Sequence, residues 1–155
     1  MRATLALAAL ALLFFVGVEN LSLVDYDEAC YAEVSRGMLA RGDAIAPELN
    51  GRPFYEKPPM LYWGQMAGYA LVGETELGAR LLNTVAALLT LLALYGFTRR
   101  AFTPALALRA VVVLGTSLAV FAVARVALTD MWLTLWLVVC LGCIHRAFEP
   151  DGGLR

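Results

Sequence analysis

The chain has 155 residues, of which 61% are hydrophobic and only 16% are charged, and its net charge is −1. Globular domains average roughly 45–50% apolar and about 25% charged residues, so this composition excludes an ordinary soluble domain and indicates a membrane protein. The nearly neutral charge gives no electrostatic basis for binding nucleic acid.

The apolar residues are gathered into four runs, and each run with its flanks approaches the roughly 20 residues that a helix needs to cross a bilayer. The predicted spans are about 3–20, 77–98, 105–124 and 131–147. The first run resembles a signal peptide but ends without a small-x-small cleavage pattern, so we expect it to remain as a span. We predict no ionisable residue and no Gly/Pro break at mid-depth of any span, which argues against a transporter.

Basic residues at the ends of the spans indicate the orientation of the chain. Arg2, Arg99, Arg100 and Arg146 lie on one side, which the positive-inside rule assigns to the cytoplasm. The acid-rich loop at residues 19–73 then lies on the outer side of the membrane.

Two helices are predicted inside this outer loop. Residues 25–40 form an amphipathic helix, because apolar residues recur at i, i+3, i+7 and i+8 on one face. These residues are Tyr31, Val34, Met38 and Leu39. Residues 58–72 form a second, aromatic helix that begins at two prolines and lies on the membrane surface. The predicted fold class is an all-α polytopic membrane protein, a single module over residues 1–155 with about four spans and two juxtamembrane helices.

Charged residues at three places on the outer side are candidates for chemistry. They are the pair Asp27-Glu28, the pair Glu56-Lys57, and Asp130. Each has a structural interpretation as well: the first pair stabilises a helix start, Lys57 snorkels to the interface, and Asp130 caps the fourth span with Arg125 as its ion partner. Two carboxylate sites and a cation at one membrane surface suit chemistry on a phosphorylated lipid, with one carboxylate as base and the cation on the leaving phosphate.

An ordered series of motifs runs through the outer loop and continues into the spans. It comprises Asp27–Leu39 (DEACYAEVSRGML), Arg41–Asp43 (RGD), Leu49–Pro59 (LNGRPFYEKPP), Tyr62-Trp63, Arg80 and Leu128–Met131 (LTDM). The series resembles the N-terminal part of the GT-C membrane glycosyltransferases. The nearest branch contains the aminoarabinose transferases of lipid A and the bacterial relatives of protein O-mannosyltransferases, known as the dolichyl-phosphate-mannose-protein mannosyltransferase family.

The resemblance implies an enzyme that moves a sugar from a polyprenyl-phosphate-linked donor to a lipid A, glycan or protein acceptor. The reaction takes place at the outer, periplasmic face of the bacterial inner membrane, in contact with membrane lipids. Asp27 would be the catalytic base or the carboxylate that positions the acceptor, with Glu28 supporting it. Asp130 would be a second catalytic acid facing the same cleft.

The resemblance also implies a binding site for the donor. Lys57 would bind the phosphate of the lipid carrier, with Glu56 and Tyr55 beside it as further substrate-binding residues. The resemblance also allows a divalent cation as a cofactor, held between Asp27 and Asp130.

Two departures from the family pattern limit these expectations. The aminoarabinose transferases carry an arginine three residues after the catalytic aspartate, where this chain has Cys30, so aminoarabinose is in doubt as the sugar. Family members are several times longer, so we expect the chain to be a piece of a longer protein. The alternative is a non-catalytic membrane scaffold or accessory subunit of an envelope complex, in which the acids serve only as caps and ion pairs.

Overall fold

The structure, a computed structural model, describes residues 2–23 and 25–148, which form a predominantly helical fold. In chain order its elements are α1 (Arg2–Phe15), α2 (Asp25–Arg41), β1 (Glu48–Leu49), β2 (Arg52–Pro53), α3 (Pro59–Val72), α4 (Glu76–Ala101), α5 (Pro104–Gly115), α6 (Leu118–Ala124) and α7 (Asp130–Ala147). The helical prediction is confirmed in outline. The two short strands correct the expectation of an all-α chain.

Local sequence signals explain most of the helix ends. Helix α3 begins at Pro59, where the missing amide hydrogen costs no hydrogen bond, and it stops at Gly73, whose φ of 89° suits only glycine. Thr75 caps α4 by accepting a hydrogen bond from the Gly78 amide at 3.1 Å. Thr103 caps α5 in the same way.

Fewer helices of the described chain meet the length and composition of a membrane span than the four that were predicted. Among the described residues, α4 and α7 are long and apolar enough to cross a membrane, and α5 with α6 makes a third candidate if the pair is one broken span. Helix α1 is apolar but has only 14 residues. Length and composition therefore support two or three spans.

The predicted span at 105–124 is not one continuous helix. A bend of 67° separates α5 from α6. Ser117 leaves the helical conformation at φ −66° and ψ 137°, and its hydroxyl then caps α6 at the Val120 amide. The prediction that no span is broken near its centre is therefore wrong for this segment.

Helix α4 lies at the centre of the fold and packs against α1, α3, α5 and α7. Its small residues Ala86 and Ala87 are fully buried and let the neighbouring helices approach closely. Leu10 and Phe14 of α1 are buried in the same apolar core, together with Val111 of α5. Helix α1 is thus packed onto the bundle along one face.

Helices α2 and α3 lie where the sequence predicts the two helices of the outer loop, and they share a second apolar core. Tyr31, Val34 and Met38 of α2 pack there against Leu61 and Tyr62 of α3. Leu39, the fourth member of the predicted face, packs against a neighbouring cluster. Their position on the membrane surface stays a prediction.

A β-hairpin connects α2 to α3. Asn50 and Gly51 form its turn with φ values of 53° and 73°, the left-handed conformation that this residue pair favours. The loop before it is fixed to α3 because the Trp63 indole donates a 2.7 Å hydrogen bond to the Ala44 carbonyl. The hairpin and this loop define the path of the chain towards Lys57.

Candidate active site

The carboxylates of Asp27 and Glu28 lie in different environments, although the residues are adjacent in α2. Asp27 is exposed, whereas Glu28 is completely buried. Successive residues of a helix point about 100° apart, so one carboxylate can face solvent while its neighbour faces the core. The pair predicted as one catalytic unit therefore divides into an accessible acid and a buried one.

Glu28 forms a bidentate ion pair with Arg80 of α4. Arg80 Nε donates to Glu28 Oε1 at 2.8 Å, and Arg80 Nη2 donates to Glu28 Oε2 at 2.8 Å. Both side chains are buried. Removing two charges from water is costly, and the cost is offset only where the remaining donors and acceptors are also satisfied.

The other donors of Arg80 meet that requirement. Its Nη1 donates to the Val18 carbonyl at 2.8 Å and to the Leu21 carbonyl at 2.6 Å. Its Nη2 donates to the Ser22 carbonyl at 2.9 Å. With the two bonds to Glu28, the five N–H groups of the guanidinium are all used. Arg80 thus fixes the chain between α1 and α2 as well as α2 itself.

Glu28 extends this anchor to the segment before α7. The backbone amide of Ala127 donates to Glu28 Oε1 at 2.8 Å. Ala127 is three residues before Asp130, and Glu28 directly follows Asp27. One buried carboxylate therefore ties together the two segments that carry the predicted catalytic acids.

Lys57 lies over the aromatic ring of Tyr31, with its Nζ 5.5 Å from the ring centroid. The nearby Tyr31 hydroxyl is the main cause of a raised pKa at Lys57; Asp27 and Glu56 add smaller effects in the same direction, and partial burial opposes them. Lys57 thus lies against Tyr31 of α2, within electrostatic range of Asp27 and Glu56.

Two buried tyrosine hydroxyls lie beside this charged group. The rings of Tyr31 and Tyr62 pack edge to face, with their centroids 6.4 Å apart. Within the described residues, neither hydroxyl has a hydrogen-bond partner of ordinary length and angle. Burial raises the pKa of Tyr62 to about 12 and also raises that of Tyr31, although Lys57 opposes the shift at Tyr31. Both hydroxyls are therefore neutral at physiological pH, and that of Tyr62 is available to a bound polar group.

Asp130 is the first residue of α7 and is exposed. The sequence also suggested that Asp130 caps the fourth predicted span with Arg125 as its ion partner. The predicted ion pair is wrong. Arg125 Nη1 instead donates to the Leu13 and Val16 carbonyls at the end of α1, at 3.1 and 2.7 Å. In residues 2–23 and 25–148 no cation pairs with Asp130. Its carboxylate is accessible and complements the helix dipole.

The remaining predicted site residues receive less support from the geometry. Tyr55 is 72% exposed and Glu56 is exposed. In the part of the chain that the structure describes, no group of three or more His, Cys, Asp or Glu side chains is arranged to hold a metal ion. A cation shared by Asp27 and Asp130 alone stays a prediction.

Sequence reasoning missed the polar face of α4. Asn83 donates to the Val123 and Val126 carbonyls at 3.0 and 2.6 Å, and Thr84 donates to the Ala124 carbonyl at 2.9 Å. With Arg80 these residues follow the i, i+3, i+4 spacing of one helix face. That spacing was a detectable signal inside an otherwise apolar run. The polar face satisfies carbonyls of irregular backbone that would be costly in lipid.

Comparisons with known proteins indicate the family of the chain. A family profile described as dolichyl-phosphate-mannose-protein mannosyltransferase matches residues 56–153. The undecaprenyl phosphate-alpha-4-amino-4-deoxy-L-arabinose arabinosyl transferase of Edwardsiella ictaluri is 35% identical over 137 residues, which cover 87% of this chain and 25% of that protein. A similarly named enzyme of Sodalis glossinidius is 30% identical over 147 residues, covering 94% of this chain and 27% of the enzyme.

The fold is similar to that of a solved transferase. The crystal structure of ArnT from Cupriavidus metallidurans in the apo state has a TM-score of 0.82 and 31% identity, and covers 96% of this chain and 28% of that one. The structure of the same protein bound to undecaprenyl phosphate has a TM-score of 0.83. The chain spans about a quarter of the length of these relatives. The profile match covers more than half of the chain, which therefore belongs to the dolichyl-phosphate-mannose-protein mannosyltransferase family of GT-C membrane glycosyltransferases.

Proposed function

We propose that the chain forms part of a glycosyltransferase that uses a polyprenyl-phosphate-linked sugar at the outer face of the bacterial inner membrane. The observation that carries this proposal is the position of Lys57 over Tyr31, within electrostatic range of the carboxylates of Asp27 and Glu56. A cation beside an accessible carboxylate offers a phosphate site and a base in one place. The acceptor is a hydroxyl of lipid A, another glycan or a protein.

Asp27 is the proposed general base. Its carboxylate is exposed, so an acceptor hydroxyl can approach it. Removal of the hydroxyl proton as the new glycosidic bond forms makes the oxygen a better nucleophile, and a positioned base typically contributes about 10²–10⁴-fold to the rate. Asp130 is the proposed second acid of the cleft, where its accessible carboxylate can hold the acceptor.

Lys57 is the proposed phosphate-binding residue. The anionic polyprenyl phosphate is the leaving group, and a nearby ammonium offsets the negative charge that grows on it. A lysine is protonated at neutral pH, and the raised pKa of Lys57 extends its charge further into the alkaline range. The buried Tyr62 hydroxyl, which has no hydrogen-bond partner among the described residues, adds a donor for the phosphate or the sugar.

Glu28 and Arg80 are proposed as positioning residues. Their burial keeps them away from substrate, and their shared hydrogen bonds connect α2 to the segment before α7. This network holds the backbone on which Asp27 and Asp130 sit. The role predicted for Glu28 from the sequence, support of Asp27, fits this geometry.

The relatives support the class of donor. Two of them are named for transfer of an aminoarabinose from undecaprenyl phosphate, and ArnT from Cupriavidus metallidurans binds undecaprenyl phosphate in a crystal structure. We extend the polyprenyl-phosphate carrier to this chain. The sugar stays open between a pentose and a hexose, because Cys30 replaces the arginine that marks the aminoarabinose transferases.

Sugar transfer from a panel of labelled undecaprenyl-phosphate sugars tests this function. Membranes from cells that express the native gene are compared with membranes that carry Asp27→Asn, and Glu19→Gln is a control at another exposed acid on the same side. We expect transfer with the native protein and the control, and a loss of about 10²–10⁴-fold with Asp27→Asn, while donor binding is retained. The native protein and both variants could all be inserted in the membrane and yet show no transfer above that of membranes without the protein. This result would favour the non-catalytic scaffold.

A further inference from the structure

A cavity of about 550 Å³ opens between α4 and α7 at the ends opposite to the candidate active site. It lies at the carboxyl-terminal turns of both helices. These are the two helices that individually qualify as membrane spans, so the cavity is at a boundary between membrane and water. The positive-inside rule assigns this boundary to the cytoplasm.

Positive charge converges on the mouth of the cavity. Arg99 and Arg100 of α4 line it together with Arg146 of α7, and in the described part of the chain no acidic residue lines it. Among the described residues none of the three arginines has an ion-pair partner. Helix dipoles and membrane orientation explain why arginines end each helix. Because α4 and α7 pack side by side, the arginines at the ends of both helices line one cavity.

The inner wall of the cavity is apolar and follows the two spans. Its members are Ala93, Tyr95, Gly96, Phe97, Val138, Val139 and Gly142. The Phe97 ring packs edge to face on His145 with centroids 5.3 Å apart, and the space beside Gly142 is bounded by the Phe97 side chain. A cationic mouth above an apolar groove matches an amphiphile with an anionic head and acyl chains.

We propose that this cleft, formed by Arg99, Arg100, Arg146 and the apolar wall, binds an anionic phospholipid of the cytoplasmic leaflet. The phosphate contacts the three guanidinium groups, and an acyl chain lies along the wall between α4 and α7. Arginine suits the phosphate because its planar fork donates two hydrogen bonds at once. Basic clefts between spans on the cytoplasmic side are sites of this kind. The site is separate from the sugar transfer proposed for the outer face.

Native mass spectrometry of the purified product of the native gene tests the site. The protein is equilibrated with micelles that contain equal amounts of phosphatidylglycerol and phosphatidylcholine, and the retained lipid is counted. We expect preferential retention of phosphatidylglycerol. The triple variant Arg99→Gln, Arg100→Gln, Arg146→Gln should lose this preference, by about fivefold for each arginine removed. The triple lysine variant should keep part of it, since the charge is conserved but the bidentate hydrogen bonds are lost.

Arg109→Gln is the matched control, because Arg109 is an exposed arginine of α5 that does not line the cleft. It should retain phosphatidylglycerol as the native protein does. Equal retention of the two lipids by the native protein would overturn the proposal, as would undiminished retention by the glutamine variant. Displacement of the lipid by millimolar inorganic phosphate would also overturn it, because a lipid site depends on the apolar wall as well.

Discussion

Arg80 and Glu28, 52 residues apart in the sequence, form a bidentate ion pair in which both side chains are fully buried. The pair joins α2 to α4, and its outer hydrogen bonds reach the Val18 carbonyl and the Ala127 amide. Four separate segments therefore meet at two side chains. The arrangement explains how the outer loop is held in a fixed position on the bundle.

Arg80→Gln should destabilise the protein severely. The substitution leaves Glu28 as an uncompensated buried charge and frees three backbone carbonyls, and breaking a buried pair of this kind typically costs about 3–5 kcal/mol. Thermal unfolding of the purified protein in detergent, followed by tryptophan fluorescence, measures the change. Glu28→Gln should cost a comparable amount, because it leaves the charge of Arg80 unpaired.

Arg36→Gln provides the matched control for this prediction. Arg36 also forms a bidentate pair, with Glu33 at 2.8 and 2.9 Å, but both side chains are about half exposed. Exposed pairs contribute little to stability, so the melting temperature should barely change. Similar melting temperatures for the Arg80 and Arg36 variants would contradict a structural role of the buried pair.

The sequence singled out both residues but did not predict their pairing. Arg80 belongs to the motif series and Glu28 was expected to support Asp27. Three of the groups that accept hydrogen bonds from Arg80 are backbone carbonyls, however. Every residue has such a carbonyl, so the residue types do not indicate which ones are used. The burial of Glu28 depends on the packing of α2 against α4, which no local pattern encodes.

Other differences between expectation and structure have similar physical causes. The pair Asn50-Gly51 favours a tight turn, but strands of two residues are too short to show an alternating pattern. The break between α5 and α6 lies in an uncharged run, where periodicity indicates only apolar surface. The break occurs at Ser117, whose backbone leaves the helical conformation. Its hydroxyl caps the next helix at the Val120 amide.

Gly68→Ala should destabilise the contact between α3 and α4. A Cβ at Gly68 would overlap the backbone carbonyl of Gly78, and a backbone atom cannot move aside as the end of a side chain does. Overpacking of this kind costs about 1–3 kcal/mol or more, so the melting temperature should fall.

Gly96→Ala is the control for this substitution. It is a helical glycine of α4 with no atom within 4 Å of an added Cβ. Alanine favours a helix interior by about 0.5–1 kcal/mol over glycine, so this variant should melt at the same temperature or higher. An unchanged melting temperature for Gly68→Ala would show that α3 and α4 do not approach so closely.

Lys57→Gln should weaken donor binding by about tenfold or more, because a charge-assisted contact to the phosphate is lost. Binding of undecaprenyl phosphate to the native gene product, measured by intrinsic fluorescence, gives the affinity. Lys57→Arg should restore part of it, since a cation is again available. Full affinity in Lys57→Gln would remove this residue from the phosphate site.

The pH dependence of donor binding provides a second test of the same residue. The Tyr31 hydroxyl raises the pKa of Lys57 above its ordinary value, so the ammonium persists as the pH rises and is lost only when the pH passes the raised value. Tyr31→Phe removes the largest cause of that shift. Binding by the variant should then decline at a lower alkaline pH than binding by the native protein, while the two agree near neutrality. The same alkaline limit for both proteins would mean that Tyr31 does not control the charge of Lys57.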